Sequence, residues 1–314
     1  MRRRALLLTP LAAPALAQSG RPVRVVVPFA AGGIIDVAAR ILAEPMSRVL
    51  GQPLVVENLP GAGATIGARA VARAAPDGQT LLVSGAAHPV MAALYPDSGL
   101  DPVGDFAPVT LIAEQPFVLA VHPSVPARDV PGFLAWLRAR GEAASFATTG
   151  IGAASHLAGE LLKRLAGVGF TVVTYRGTPQ AVTDLTAGRV DFMIDSQTLL
   201  APLASDGRVV ALAVTTATRS ALLPGLPTLA EAGVAGFETS SWQAMYAPAG
   251  VAAPVLARLA AAAEAALDEA SVKRRFADAG LQPLPSGPAA LARFVAAETE
   301  RWVPILRATG ARGG

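Results

Sequence analysis

The sequence of 314 residues contains no cysteine, which excludes disulfide staples, thiolate catalysis and Cys-ligated metal centres. Its three histidines, His88, His122 and His156, lie far apart and lack the H-x-x-x-H or H-E-x-x-H spacing of a helical metal site. Charged residues make up only 16% and aromatic residues 5%, and no Lys/Arg run interleaved with aromatics suggests a nucleic-acid partner. There is no G-x-S-x-G elbow, and Ser155-His156, being neighbours in the chain, do not form a nucleophile and base pair. The run Gly61-Ala62-Gly63-Ala64-Thr65-Ile66-Gly67 misses the G-x-G-x-x-G spacing of a dinucleotide loop. No enzyme activity, metal or cofactor is therefore expected.

What is present is apolar: 52% of the residues are hydrophobic, enough for a globular chain with two separate cores. Residues 1–17 differ from the rest. Arg2-Arg3-Arg4, the apolar run Ala5 to Leu16, and Ala15-Leu16-Ala17 before Gln18 have the form of a cleavable secretory signal. An uncleaved anchor is the alternative, but the run is shorter than the about 20 residues that span a bilayer, and Pro10 and Pro14 weaken it as a helix. The expected location is the periplasm. Three of the 26 basic residues lie in this segment, and without it the balance is 23 basic against 23 acidic.

The stretch Val25-Val26-Val27-Pro28-Phe29-Ala30-Ala31-Gly32-Gly33-Ile34-Ile35-Asp36 reads as a buried strand, a small-residue turn and the start of a helix at about Ile35. With almost no side chains between Ala30 and Gly33, backbone N–H groups and a helix N-terminus can approach an anion there. Leu54 to Glu57 is a second strand, Ala68 to Ala74 a second helix, and Thr80 to Ser84 a third strand. This β-α-β-α-β order implies a parallel sheet with ligands at the carboxyl ends of its strands.

Strand-like pieces at Val109 to Ala113 and Phe117 to Val121 suggest a crossing to a second α/β series. That series has a helix near Val130 to Arg140, a strand Ser145 to Ala147, and the turn Thr148-Thr149-Gly150-Ile151-Gly152-Ala153-Ala154-Ser155 leading into a helix from about His156. Strands at Thr171 to Tyr175, Val190 to Asp195 and Val209 to Thr215 follow, with helices Gln180 to Ala187 and Thr198 to Ser205 between them. Phe237 to Pro248 is strand-like and carries the chain back. Helices at Pro254 to Leu267, Ser271 to Ala279 and Pro288 to Leu306 finish it.

Taken with Val27 to Asp36 and Val56-Glu57-Asn58-Leu59-Pro60-Gly61-Ala62-Gly63, four later landmarks complete a pattern. These are Asp105 to Thr110, Gly150 and Gly152 with Ser155-His156-Leu157, Tyr175-Arg176-Gly177, and Ser241-Trp242. In this order the chain, from Arg21 onward, resembles the Bug family of periplasmic receptors of tripartite tricarboxylate transporters. The resemblance implies an α/β, two-lobed type II periplasmic-binding-protein fold, with a mainly parallel sheet flanked by helices in each lobe. Residues 18–121 and 240–314 are expected to form lobe I and residues 122–239 lobe II.

The function implied is capture of a small organic acid between the lobes by a monomeric receptor. Delivery to the transmembrane permease subunits of a tripartite tricarboxylate-type transporter follows. The alternatives are a sensory receptor with a signalling partner, and an enzyme using the same cleft. Ligand contacts are expected at Phe29, Ala31, Gly32, Gly33, Ile34 and Asp36 in the first turn, and at Ser84 and His88 around the end of the third strand. In lobe II they are expected at Thr148, Thr149, Gly150, Gly152, Ser155, Tyr175, Gly177 and Asp195, with Trp242 on the returning strand.

Several of these residues have a plainer reading. Asp36 can be a dipole-complementing residue of the helix rather than a loop-ordering or water-bridging one, Ser155 an N-cap, His156 a packed histidine, and Trp242 a core residue. The sequence also departs from the family pattern. Ile34 and Ile35 stand where a small or polar residue is usual, and His88-Pro89-Val90 lacks the usual Asn-Pro. Both changes point to a ligand with an apolar or aromatic body.

Overall fold

In the computed structural model, residues 20–175 and 177–310 are described. The expected signal at residues 1–17, and Arg176 of the Tyr175–Gly177 landmark, lie outside them. The first unit forms as its chemistry dictates: β1 (Val23–Val27) is uninterrupted and buried, and α1 (Ile34–Leu50) buries Ala38, Ile41, Leu42 and Met46 along one face. β2 (Leu54–Asn58) and β3 (Thr80–Gly85) flank β1 in parallel, with α2 (Thr65–Ala72) between them. This helix opens three residues earlier than expected. Gly67 within it packs so closely on the first turn that a Cβ would lie 2.8 Å from Pro28 Cβ, so the glycine marks a contact and not the end of a loop. The short α3 (Met91–Leu94) follows.

The two strand-like pieces expected after Phe106 are one 16-residue strand, β4 (Phe106–Val121). Its partners change midway. β9 (Ser240–Pro248) pairs with it from Phe106 to Pro116, and β7 (Phe192–Ser196) pairs with it from Phe117 onward. Pro116, which has no N–H to give a ladder, sits at the changeover. The expected crossing is therefore a single continuous strand, with β9 returning antiparallel beside it.

The second series holds α4 (Val130–Arg140), β5 (Ser145–Thr148), α5 (Ala154–Ala166), β6 (Thr171–Thr174), α6 (Thr178–Thr186), α7 (Gln197–Ser205) and β8 (Val210–Val214). The chain closes with α8 (Ala253–Asp268), α9 (Ala270–Asp278), the two-residue β10 (Gln282–Pro283) and α10 (Gly287–Thr309). The strand order is β2-β1-β3-β9-β4-β7-β5-β6, with β8 and β10 also on β4. Parallel triplets lie at both outer parts, and the antiparallel strands join them.

These pairings set directions. β3 is antiparallel to β9 and β9 to β4, so β1 and β3 run with β4; β7 is antiparallel to β4 and β5 parallel to β7, so β5 runs against them. The carboxyl ends of β1 and β3 therefore point toward the second lobe and that of β5 toward the first. One apolar core continues across the joint, from Leu82, Tyr246 and Trp302 to Phe146, Leu157 and Phe192. Separate cores fill the α1/α8/α9 side of one lobe and the α6/α7 side of the other.

Candidate functional site

The turn between β1 and α1 is built around Asp36. Its buried carboxylate accepts the Gly32 N–H at 2.9 Å, the Arg40 Nε–H at 2.9 Å and the Asn58 amide N–H at 2.9 Å. Asn58 also donates to the Phe29 carbonyl at 3.1 Å, and Arg40 to the Asn58 side-chain oxygen at 2.8 Å. Burial works to raise the Asp36 pKa. The Arg40, Gly32 and Asn58 donors outweigh it, and the group stays below the usual carboxylate range. Asp36 thus ties the loop to α1 through Gly32 and Asn58, and it is also the acidic residue in the first turn of that helix. Arg40 and Asn58, neither of them among the expected contacts, share that work. A polar residue closing the apolar strand Leu54–Asn58 was the available signal for Asn58. Ala31, Gly32 and Gly33 are exposed, Phe29 and Ile34 half-buried, and no side chain caps the first N–H groups of α1.

The turn between β5 and α5 has a similar internal frame. The Thr148 and Ser155 hydroxyls are hydrogen-bonded at 2.9 Å, and the Thr149 hydroxyl meets Ser155 at 3.2 Å. Ser155 is not the N-cap: that position is Ala153, and no side chain caps this helix either. Thr148 and Ser155 are buried, while Thr149 and Gly150 keep some exposure. His156 accepts the Gly152 N–H on Nδ1 at 3.3 Å, which leaves its proton on Nε2, 3.8 Å from Glu160 Oε1. Burial lowers its pKa against the pull of Glu160. This is a packed, neutral histidine. Across the joint, a Cβ on Gly152 would lie 2.5 Å from Leu94 Cδ1, so the α5 turn rests against the segment that follows β3.

The remaining expected contacts fall in different surroundings. Tyr175 donates its hydroxyl to Asp184 at 2.8 Å, and that carboxylate is also paired with Arg189. Burial and the Asp184 charge push the phenol up to about 12. Gly177 precedes α6 and is half-buried. Asp195, near the end of β7, accepts the Ser196 N–H at 2.7 Å, and burial pushes its carboxyl up to about 6 despite that bond. Ser84 is fully buried with an unpaired hydroxyl.

His88 is fully buried as well. It stacks on Tyr246 with ring centroids 4.2 Å apart and its Nε2 bonds the Pro102 carbonyl at 2.8 Å; burial pushes it down to about 4. Trp242 turns toward α10. Its indole N–H donates to Glu298 Oε2 at 3.0 Å, an oxygen that also takes the Trp302 N–H at 2.9 Å. A cavity of about 440 Å³ lies on that side, between Glu114, Trp242, Phe294, Glu298 and the loop at residues 216–221, and Trp242 alone of the expected contacts lines it. Among the described residues no group of His, Asp and Glu side chains could hold a metal ion, and no helix is long and apolar enough to cross a membrane.

Over most of its length the chain is similar to known proteins. The family described as tripartite tricarboxylate transporter family receptor matches residues 38–311. A UPF0065 protein from the TAR-I ttuE-ttuC' intergenic region of Agrobacterium vitis is 38% identical over 314 residues, covering 98% of this chain and 91% of the relative. Among solved structures, the periplasmic binding protein BugD is 37% identical with a TM-score of 0.80, covering 93% of this chain and 98% of its own. MatC of Rhodopseudomonas palustris, solved with bound malate, is also 37% identical at a TM-score of 0.80, covering 91% and 98%. The two-lobed periplasmic-binding fold extends over nearly all of the chain.

Proposed function

The chain belongs to the tripartite tricarboxylate transporter receptor family, and from that membership we propose a specific role. It is a periplasmic receptor that captures a small carboxylate between its lobes and delivers it to a tripartite membrane permease. One observation carries the reading. Two helices, α1 and α5, open from small-residue turns with no side-chain cap, at strand ends that run toward one another. Each uncapped N-terminus offers N–H donors and a positive dipole end to an anion, an interaction of roughly 0.3 to 1 kcal/mol when exposed and up to about 2 kcal/mol when partly buried.

The lobes are residues 18–121 with 240–314, and residues 122–239. They turn about the crossing stretch of β4 that follows the change of partners at Pro116 and runs to the lobe boundary at Val121. A ligand that touches both turns favours the closed state by the difference in its affinity for the two states, and the permease reads that state. The contacts are made by the backbone of Ala31 to Gly33 and by Thr149 and Gly150, with Asp36, Thr148 and Ser155 holding the turns in shape. Calorimetry with mono-, di- and tricarboxylates, aromatic acids and nicotinate-like compounds should find one site per chain; a panel with no binder overturns the carboxylate reading. Co-purification of permease subunits only in the presence of that ligand tests the delivery step.

A further inference from the structure

Gln243 lies in the middle of β9 and is fully buried. Its Nε2 donates to Ser241 Oγ at 3.2 Å, and its Oε1 has no hydrogen-bond partner. A buried amide oxygen without a donor is unfavourable, and an apolar side chain of the same length would remove that penalty. The surroundings explain what the oxygen is for. Neighbours on a strand point to opposite faces, so Gln243 faces away from the Trp242 side and toward α1. In register it stands opposite Gly85, the last residue of β3. A Cβ on Gly85 would lie 3.2 Å from Ile35 Cδ1, so Ile35, in the first turn of α1, fills the space this glycine leaves beside the same strand ends.

We propose that Gln243 is a ligand-reading residue that Ile35 covers in this conformation. Resting on the receptor reading above, it names the class of acid: a carboxylate that also carries a hydroxyl or N–H. The carboxylate end is met by the helix N–H groups. The Gln243 oxygen cannot meet it, because two acceptors repel; it accepts the hydroxyl or N–H once the flexible end of Ile35 turns aside. Ser241, two residues away on the same face, takes the amide N–H, which leaves Oε1 as the free acceptor.

Calorimetry on the full protein with acid pairs that differ by one hydroxyl, malate against succinate and mandelate against phenylacetate, tests this. The wild type should bind the hydroxylated member of one pair at least tenfold more tightly. Gln243→Met, nearly the same shape without the acceptor, should lower that ratio at least fivefold with a thermal midpoint no lower than wild type. Ile35→Ala, which uncovers the amide, should raise the ratio.

A wild-type ratio near one overturns the proposal, as does a Gln243→Met ratio within twofold of wild type; a raised midpoint alone marks a purely structural amide. Should Gln243→Met fail to fold, an unchanged ratio in Ile35→Ala overturns it instead. Binding of neither pair while other acids bind overturns this inference alone. Binding of no acid at all overturns the receptor reading beneath it.

Discussion

Asp36 reaches back across the first turn of α1 to accept the N–H of Gly32 at 2.9 Å. The same carboxylate takes Arg40 and Asn58, so one buried acid fixes the shape of the turn proposed to meet the ligand. Asp36→Ala should lower stability by roughly 2 to 4 kcal/mol, since buried donors lose a charged partner, and should weaken ligand binding at least tenfold. Because the folded pKa is depressed, this stability is present above the unfolded value of about 3.9 and lost as pH falls through the lower folded value. Urea unfolding at pH 7 and pH 3 checks it: the gap between wild type and variant should shrink in acid.

Gly152 has φ +84° and lies against Leu94 across the joint. Gly152→Ala forces an L-residue into the left-handed region at a cost of about 1 to 2 kcal/mol, and its Cβ pushes on the movable end of Leu94. Ligand affinity should fall at least fivefold by calorimetry. Adding Leu94→Ala should recover part of the affinity and little of the stability, because it removes the contact and not the backbone strain. Affinity within twofold of wild type in the single variant places this turn away from the ligand.

Asp195 carries a pKa of about 6 in the fold, against about 3.9 unfolded. The folded state holds the proton more tightly, so this group's contribution is fully present below pH 4 and lost as pH rises through 6, a change of roughly 3 kcal/mol. Asp195→Asn should therefore be more stable than wild type at pH 7.5 and nearly equal to it at pH 4. Its carboxylate affinity at pH 7.5 should also rise, because a nearby negative charge is gone. Equal affinities for the two proteins would place Asp195 outside the site.

His88 shifts the other way, to about 4 from the ordinary 6.5. The unfolded chain takes the proton first, so stability falls as pH drops from 6.5 to 4, again by roughly 3 kcal/mol. This opposes the Asp195 effect over the same range, and the wild type should show a shallow profile. His88→Phe, which keeps an aromatic ring against Tyr246, removes one side of the balance; its stability should increase from pH 6.5 to pH 4. A profile parallel to wild type in chemical unfolding would show that His88 does not titrate in this way.

The parts legible from residue order alone were those whose cause is local. A β-branched run, a stretch without side chains and a 3.6-residue apolar period are enough to write β1-turn-α1 and β5-turn-α5, because each follows from neighbours in the chain. Small residues at Ala31 to Gly33 and at Gly150 and Gly152 mark the turns in the same way, and the order of landmarks carried the family.

Partners distant in sequence were decided by the tertiary structure. Whether β4 is one strand or two depended on β9 and β7 changing places beside Pro116. That Tyr175 spends its hydroxyl on Asp184, that Glu298 takes both Trp242 and Trp302, and that His88 stacks on Tyr246 all follow from packing between remote segments. Gln243 shows the reason most clearly. A strand has two faces, and only its register against β3 turned this amide toward α1 and Ile35 rather than toward α10.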